Sequence, residues 1–234
     1  MNNNDFEPLL VDGNSYKIEH LKNLSLVLGV QFSNADTRPI KVNMRPTNHV
    51  FSRKVTDEDW VNKAEHLEKG AWLTSYQHHR GNYQQVRDDP PQVKEHRIFC
   101  GVKWNDSLLF PTFVEQLGAS PAQITVLANT GDDGTCLSGL IEIDERPDEI
   151  YLVFFSLYKV NSKEANMLIE SAYCVDKAAH EKAKRLLTYR GEEARPFIIV
   201  LRNVMEGRLP MEGMKKRNSS YKRKKKKKNE KGSE

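Results

Sequence analysis

The chain has 234 residues, 38% of them hydrophobic, enough for one domain with a real core. Residues 211–234 hold 11 Lys/Arg and 3 Asp/Glu, which leaves 25 Lys/Arg and 29 Asp/Glu in the rest, so the body is mildly acidic and the basic excess belongs to the tail. No stretch of about 18 apolar residues exists, which excludes a membrane-spanning helix, and MNNNDFEPLL lacks the cationic and apolar regions of a secretory signal, so a cytoplasmic protein is expected.

Residues 1–13 are polar and read as a flexible N-terminus. Asn14 or Ser15 caps a predicted helix to about Leu28, with Ile18, Leu21, Leu24 and Leu28 on one face and Gly29 as the stop. The segment 48–55 reads as extended, with His49, Phe51, Arg53 and Val55 on one face. TDEDWVNKAEHLEKG predicts a helix: Thr56 and Asp59 form a capping box, Gly70 is a good stop, and Trp60, Ala64 and Leu67 give an inward face. Residues 74–95 are polar, contain Gly81 and Pro90-Pro91, and read as a long loop.

HRIFCGVKW predicts a strand, FPTFVEQLG a short helix with Pro111 near its start and Gly118 after its end, and QITVLANTGDDGTCLSGLIEI a hairpin turned at Gly-Asp-Asp-Gly. EIYLVFFSLYKV is a continuous apolar run, as expected of a central strand covered on both faces. After a turn at Asn161-Ser162, MLIESAYCV predicts the next strand, Asp176 caps a helix to about Tyr189, and RPFIIVLRNV predicts the last strand. The order predicts an α+β fold: N-terminal helices packed on a central antiparallel or mixed β-sheet, as a single domain over 14–210, followed by a disordered Lys/Arg-rich tail over 211–234.

Motifs for nucleotide hydrolysis, dinucleotide binding, serine hydrolysis, zinc proteolysis and deamination are absent. Cys100, Cys136 and Cys174 make no metal-binding spacing and read as small buried hydrophobes; no cofactor and no metal are expected. What remains is His, Arg, Ser and Tyr near apolar strands. His49 and Arg53 share a face but stand about 13 Å apart along a straight strand. His96 and Arg97 are adjacent and point to opposite faces, so only one serves a given cleft. Ser171 and Tyr173 share a face, about 6.6 Å apart. Histidine is the natural metal-free acid/base near neutrality, arginine clamps phosphate, and a hydroxyl can position the phosphate or the 2′-OH that distinguishes RNA. His78, His79 and Arg80 lie in the polar loop; His20, His66 and His180 read as surface residues on helices.

The tail residues Lys215, Lys216, Arg217, Lys222, Arg223, Lys224, Lys225, Lys226, Lys227 and Lys228 can displace counterions from RNA or DNA, giving salt-dependent, sequence-blind attraction. They name a class of partner, not a chemistry.

YLVFFSLYKV followed by LIESAYCVD and RPFIIVLRNV resembles the BECR-type toxin and phage nucleases, the barnase-like, EndoU-like, colicin-like and RelE-like ribonucleases. PTNHVFSRK and HRIFCGVKWNDSLLFPTFVEQL resemble bacterial proteins named for stationary-phase growth adaptation. The first resemblance implies RNA cleavage through a 2′,3′-cyclic phosphate without metal. His49 and either His96 or Arg97 would supply acid/base and phosphate contacts, with Ser171 at the far wall. The reading is a metal-independent ribonuclease of a bacterial toxin or defence setting, with an antitoxin or other complex partner protein as a further expectation. The alternative is a non-catalytic nucleic-acid-binding or adaptor protein of a phage, mobile-element or defence complex.

Overall fold

Strand alternation, not helical periodicity, governs the N-terminal residues. The computed structural model describes residues 6–76, 93–128, 136–140, 143, 146–188 and 194–212. In it β1 (Leu9–Val11) and β2 (Asn14–Tyr16) pair as a hairpin, so the terminus expected to be flexible is tied down from Leu9. Asp12 and Gly13 close that hairpin in the left-handed region, at φ 50° and 75°. A 3-10 turn over Glu19–Leu21 leads into β3 (Ser25–Gln31), which pairs antiparallel with β4 (Thr37–Pro46).

The helix expected over 14–28 does not form. Ile18, Leu21 and Leu28 are buried as anticipated, but they serve a turn and a strand. From Leu26 the apolar residues recur every second position, with Leu28 and Val30 inside and Val27 65% exposed. The expected α+β plan of N-terminal helices on a sheet is therefore overturned. Among the described residues the structure is mostly β, and the first α-helix follows five strands.

The straight strand expected over 48–55 is likewise broken. Asn48–Val50 is a 3-10 turn capped by Thr47, and only β5 (Ser52–Lys54) is extended. The helix expected next is split at Asn62 into α1 (Asp57–Val61) and α2 (Lys63–Glu68). The Thr56/Asp59 capping box is present, and Gly70 sits at φ 67° where a Cβ would overlap the Leu10 carbonyl oxygen. The face turned inward is not the expected one. Trp60 and Leu67 are 48% and 54% exposed, because the split helix packs through polar Asp59 and His66.

β6 (Trp72–Tyr76) and β7 (Val93–Phe99) take up both ends of the expected polar loop; residues 77–92, with His78, His79 and Arg80, lie outside the described residues. β5, β7 and β6 form a three-stranded antiparallel sheet in that order. The strand expected over 96–104 ends at Phe99. Cys100, extended and held by its N–H on the Phe51 carbonyl, starts α3 (Gly101–Ser107). α4 (Phe110–Ala119) has Pro111 in its first turn as expected, but runs through Gly118.

β8 (Thr125–Ala128) and β9 (Cys136–Leu140) form the expected antiparallel hairpin; its Gly-Asp-Asp-Gly turn lies outside the described residues. β10 (Glu149–Lys159) is buried without a break from Ile150 to Leu157, as its apolar run anticipates, and β11 (Glu164–Asp176) follows antiparallel to it. Asp176 caps no helix directly. Its Oδ1 accepts from the N–H of Ala178 and Ala179, and α5 (Glu181–Thr188) begins later. The strand expected over 195–204 is instead β12 (Ala194–Pro196) followed by α6 (Phe197–Met205). Phe197, Val200, Leu201 and Val204 recur at helical spacing, and Pro196 stands just ahead of the helix as its N-cap, where its missing N–H costs no intrahelical bond.

The large sheet has the order β12-β8-β9-β10-β11-β4-β3, antiparallel except for the β11–β4 pair. α4 and α6 cover one face, meeting Tyr151, Val153 and Phe155; α5 covers part of the other, meeting Ile150, Leu152 and Phe154. Cys100 and Cys174 are half-buried thiols, and Cys174 packs against the main core. The tail cations from Lys215 to Lys228 lie outside the described residues, and no described helix is long and apolar enough to cross a membrane.

Asp59 accepts from Arg53 at 2.5 and 2.7 Å and from the Thr56 N–H and hydroxyl, both at 2.8 Å. Arg53 is 42% exposed, so solvent screens the pair. Asp59→Ala is expected to cost about 2 kcal/mol in urea denaturation, mostly through the lost cap. The Arg53 hydrogen bonds hold the Asp59 carboxyl far below the usual range. Its contribution is therefore present above about pH 4 and lost as pH falls, and the alanine variant should show a shallower acid slope.

Candidate functional site

The site forms where the chain leaves one sheet for the other. β4 runs parallel to β11 as far as Pro46 against Ile169. Thr47 then donates its N–H to the Ile169 carbonyl at 3.1 Å and its hydroxyl to the Glu170 carbonyl at 3.3 Å, and the 3-10 turn carries His49 away from the sheet. Opposite, β11 has a bulge: Phe155 faces Ile169 but Phe154 faces Ser171, so Glu170 is extra. The bulge reverses the alternation. Met167 and Ile169 point to the core, and beyond it Ala172 does, so Ser171 and Tyr173 turn to the other face. α3, which starts as soon as β7 ends, lies along this stretch of β11.

These elements bring seven side chains together. His49 Nε2 lies 2.6 Å from Glu95 Oε1, with the side chains 17% and 29% exposed. Arg97 donates to the same Glu95 oxygen at 2.9 Å, to the Ser52 hydroxyl at 2.7 Å and to the Ser52 carbonyl at 3.0 Å. Lys103 Nζ donates to the His49 carbonyl and, at 3.0 Å, to Ser171 Oγ, and sits 5.3 Å from the centre of the Tyr173 ring. Burial, then the positive charge of Arg97, pull the Lys103 ammonium down to about 8. Burial raises the Tyr173 hydroxyl.

A buried carboxylate fixes this geometry. Asp106, one turn beyond Lys103, accepts from the Cys174 N–H at 3.0 Å and from Arg146 at 2.7 Å, which pins α3 to β11. Burial, with the charge of Asp106, pushes the Cys174 thiol up to about 12, so it stays protonated. At the last residue of α3, Ser107 Oγ lies 2.8 Å from His20 Nε2, so His20 is a packed residue, not the surface residue expected; burial lowers its pKa.

Of the six residues singled out from the sequence, His49, Ser171 and Tyr173 gather around Lys103, and Arg97 joins through Glu95. Arg97 is only 9% exposed and engaged on Ser52 and Glu95, which makes it a positioning residue and not a free phosphate clamp. Arg53 is turned to Asp59. His96 faces the opposite side of β7, where it accepts from Trp72 Nε1 at 3.3 Å and lies edge-on to Trp60. Lys103, Glu95 and Ser52 were missed. The one available signal was a lysine inside the otherwise apolar GVKW. The hollow lined by Leu10, Asp12, Gly13, Glu68, Lys69 and Gly70 contains none of these residues. Among the described residues no group of three or more His, Cys, Asp or Glu side chains is placed to hold a metal ion.

The YjaZ family model matches residues 8–204, which spans every element named above except the last residue of α6. The chain belongs to the YjaZ family. No curated protein and no solved structure matches it. The YjaZ match covers the site from His49 to Tyr173 and stops short of the basic tail, so the tail's charge is an addition to the matched region.

The Lys103 value has a stability consequence with a definite sign. Between about pH 8 and the unfolded lysine value of about 10.4 the unfolded chain binds the extra proton, so folding gains stability as pH rises through that window. Urea titrations from pH 7.5 to 9.5 should show this alkaline gain in the wild type and not in Lys103→Met.

Proposed function

We propose that the His49–Glu95–Lys103–Ser171 cluster is a metal-independent centre for cleaving RNA. The observation that supports this reading is the 2.6 Å contact between an imidazole and a carboxylate, both reachable from solvent, beside a half-buried ammonium and a hydroxyl. In this reading Glu95 takes the proton of a 2′-hydroxyl as its oxygen attacks phosphorus. His49 gives a proton to the departing 5′-oxygen. The P–O5′ bond breaks, leaving a 2′,3′-cyclic phosphate and a 5′-hydroxyl. Lys103 neutralises the charge that builds on the non-bridging oxygens, and Ser171 donates to one of them. The basic tail raises the rate of encounter with a polyanion.

A second reading rests on the 3.0 Å separation of Lys103 Nζ and Ser171 Oγ. Neutral Lys103 could take the Ser171 proton and make it a nucleophile toward an ester or amide. The two readings demand opposite charge states of one lysine. RNA cleavage needs the ammonium, so its rate should fall above about pH 8; serine nucleophilicity needs the amine, so its rate should rise through about pH 8.

The test is cleavage of single-stranded RNA in EDTA by the intact chain, with cyclic-phosphate ends assayed. His49→Ala and Lys103→Ala should each lower the rate at least 100-fold. Absence of cleavage, with RNA binding that disappears when 215–228 are deleted, would leave a non-catalytic nucleic-acid adaptor. Absence of RNA cleavage, with fluorophosphonate labelling of Ser171 that increases through pH 8, would favour the nucleophile.

A further inference from the structure

The large sheet ends in two edges of opposite character. At one end β12 is three residues long and contains Arg195 and Pro196, which blunt it against pairing. The edge strand β5 of the small sheet is equally short and carries Arg53 and Lys54. At the other end of the large sheet, β3 is seven residues long, reads SLVLGVQ, and has no charge and no proline. Only β4 pairs with it among the described residues, so one row of its backbone N–H and C=O groups faces outward. Val27 is 65% exposed on the face opposite the one that α4 and α6 cover. Such an edge is a template for another strand.

The sequence of β3 is complementary to itself. Antiparallel pairing about a two-fold axis at Leu28 sets Leu28 against Leu28 and Leu26 against Val30 on the face that rests on α4 and α6. On the other face it sets Val27 against Gly29 and Ser25 against Gln31. The large side chain meets the glycine, no like charges meet, and all seven residues find a partner. The strand also stops cleanly. After Phe32, Ser33 gives its N–H and hydroxyl to the Glu206 carboxylate at 2.7 and 3.0 Å, which bends the chain back onto the end of α6.

We infer that β3 is a homodimerisation edge, joining two copies of this chain through an isologous antiparallel β3–β3 pair into one continuous sheet. The contact lies on the β3 side of the sheet and leaves the cluster at β11 free in each copy. It adds main-chain hydrogen bonds and apolar contact, so it does not depend on attraction between the basic tail and the acidic body.

Light scattering on the full chain, over a concentration series and with a reductant present, should show twice the monomer mass. The dimer should persist at high salt, where attraction between exposed charges is screened. Val27→Lys places a cation in the middle of the edge without touching the core, and should give a monomer whose circular dichroism matches the wild type. Val61→Lys, at an 85% exposed position on α1, should leave the dimer intact. Amide hydrogen exchange over 25–31 should slow as the wild-type concentration rises, and should not do so in Val27→Lys. A wild type that stays monomeric at every concentration, a dimer that dissolves in salt, or a Val27→Lys protein that remains dimeric would each overturn the inference.

Discussion

One extra residue in the longest strand decides where chemistry is available. β10 and β11 pair along almost their whole length, and β10 is dry on both faces, so the register of β11 has little freedom. Within that constraint the bulge at Glu170 reverses which side chains face the core. Without it Ser171 would follow Ile169 into the apolar layer against α4 and α6. With it, Ser171 and Tyr173 reach the sheet's other face at the level where β4 departs. Thr47 closes the gap by bonding to the carbonyls on either side of the bulge junction, so the irregular stretch has partners for its backbone.

The second constraint is the buried carboxylate of Asp106. It receives a strand N–H and a guanidinium, and thereby fixes both the distance and the rotation of α3 relative to β11. Lys103, on the preceding turn, has few other directions to point. Its ammonium is left with a carbonyl, a hydroxyl and an aromatic face, none of which bears a formal charge. A cation held by neutral partners beside Arg97 gives up its proton more easily than one in water. Arg97 acts at one remove, by orienting Glu95 against His49 and by raising the local positive potential.

The parts legible in the sequence were those whose local pattern and tertiary environment agree. The apolar run at 149–160 became the central strand, Thr56 and Asp59 became a capping box, and Pro111 marked the start of a helix. Residues 14–28 were misread because Ile18, Leu21, Leu24 and Leu28 satisfy a helical spacing by accident. The alternation of Leu26, Leu28 and Val30 was the truer signal. Residues 197–205 show the converse: Phe-Ile-Ile-Val-Leu has high strand propensity, yet one face of a helix buries its bulk against β10. The site was half visible. His49, Ser171 and Tyr173 were named from residue type, but Lys103 lay in a stretch read as strand, and Glu95 in one read as loop. The Glu170 bulge has no glycine to announce it, and no local feature says that α3 will lie beside β11.

The single parallel contact in the large sheet also sets a timetable. β4 cannot be completed by its neighbours in the chain, since Asn43 lies beside Asn166, 123 residues later. During synthesis the β3–β4 hairpin must therefore wait, with its Ile40, Val42 and Met44 face uncovered, until nearly the whole domain has left the ribosome. The fold is thus assembled late and as a unit. A chain released early, before Glu164 to Ile169 emerge, would present an unfinished sheet to whatever chaperone or protease meets it first.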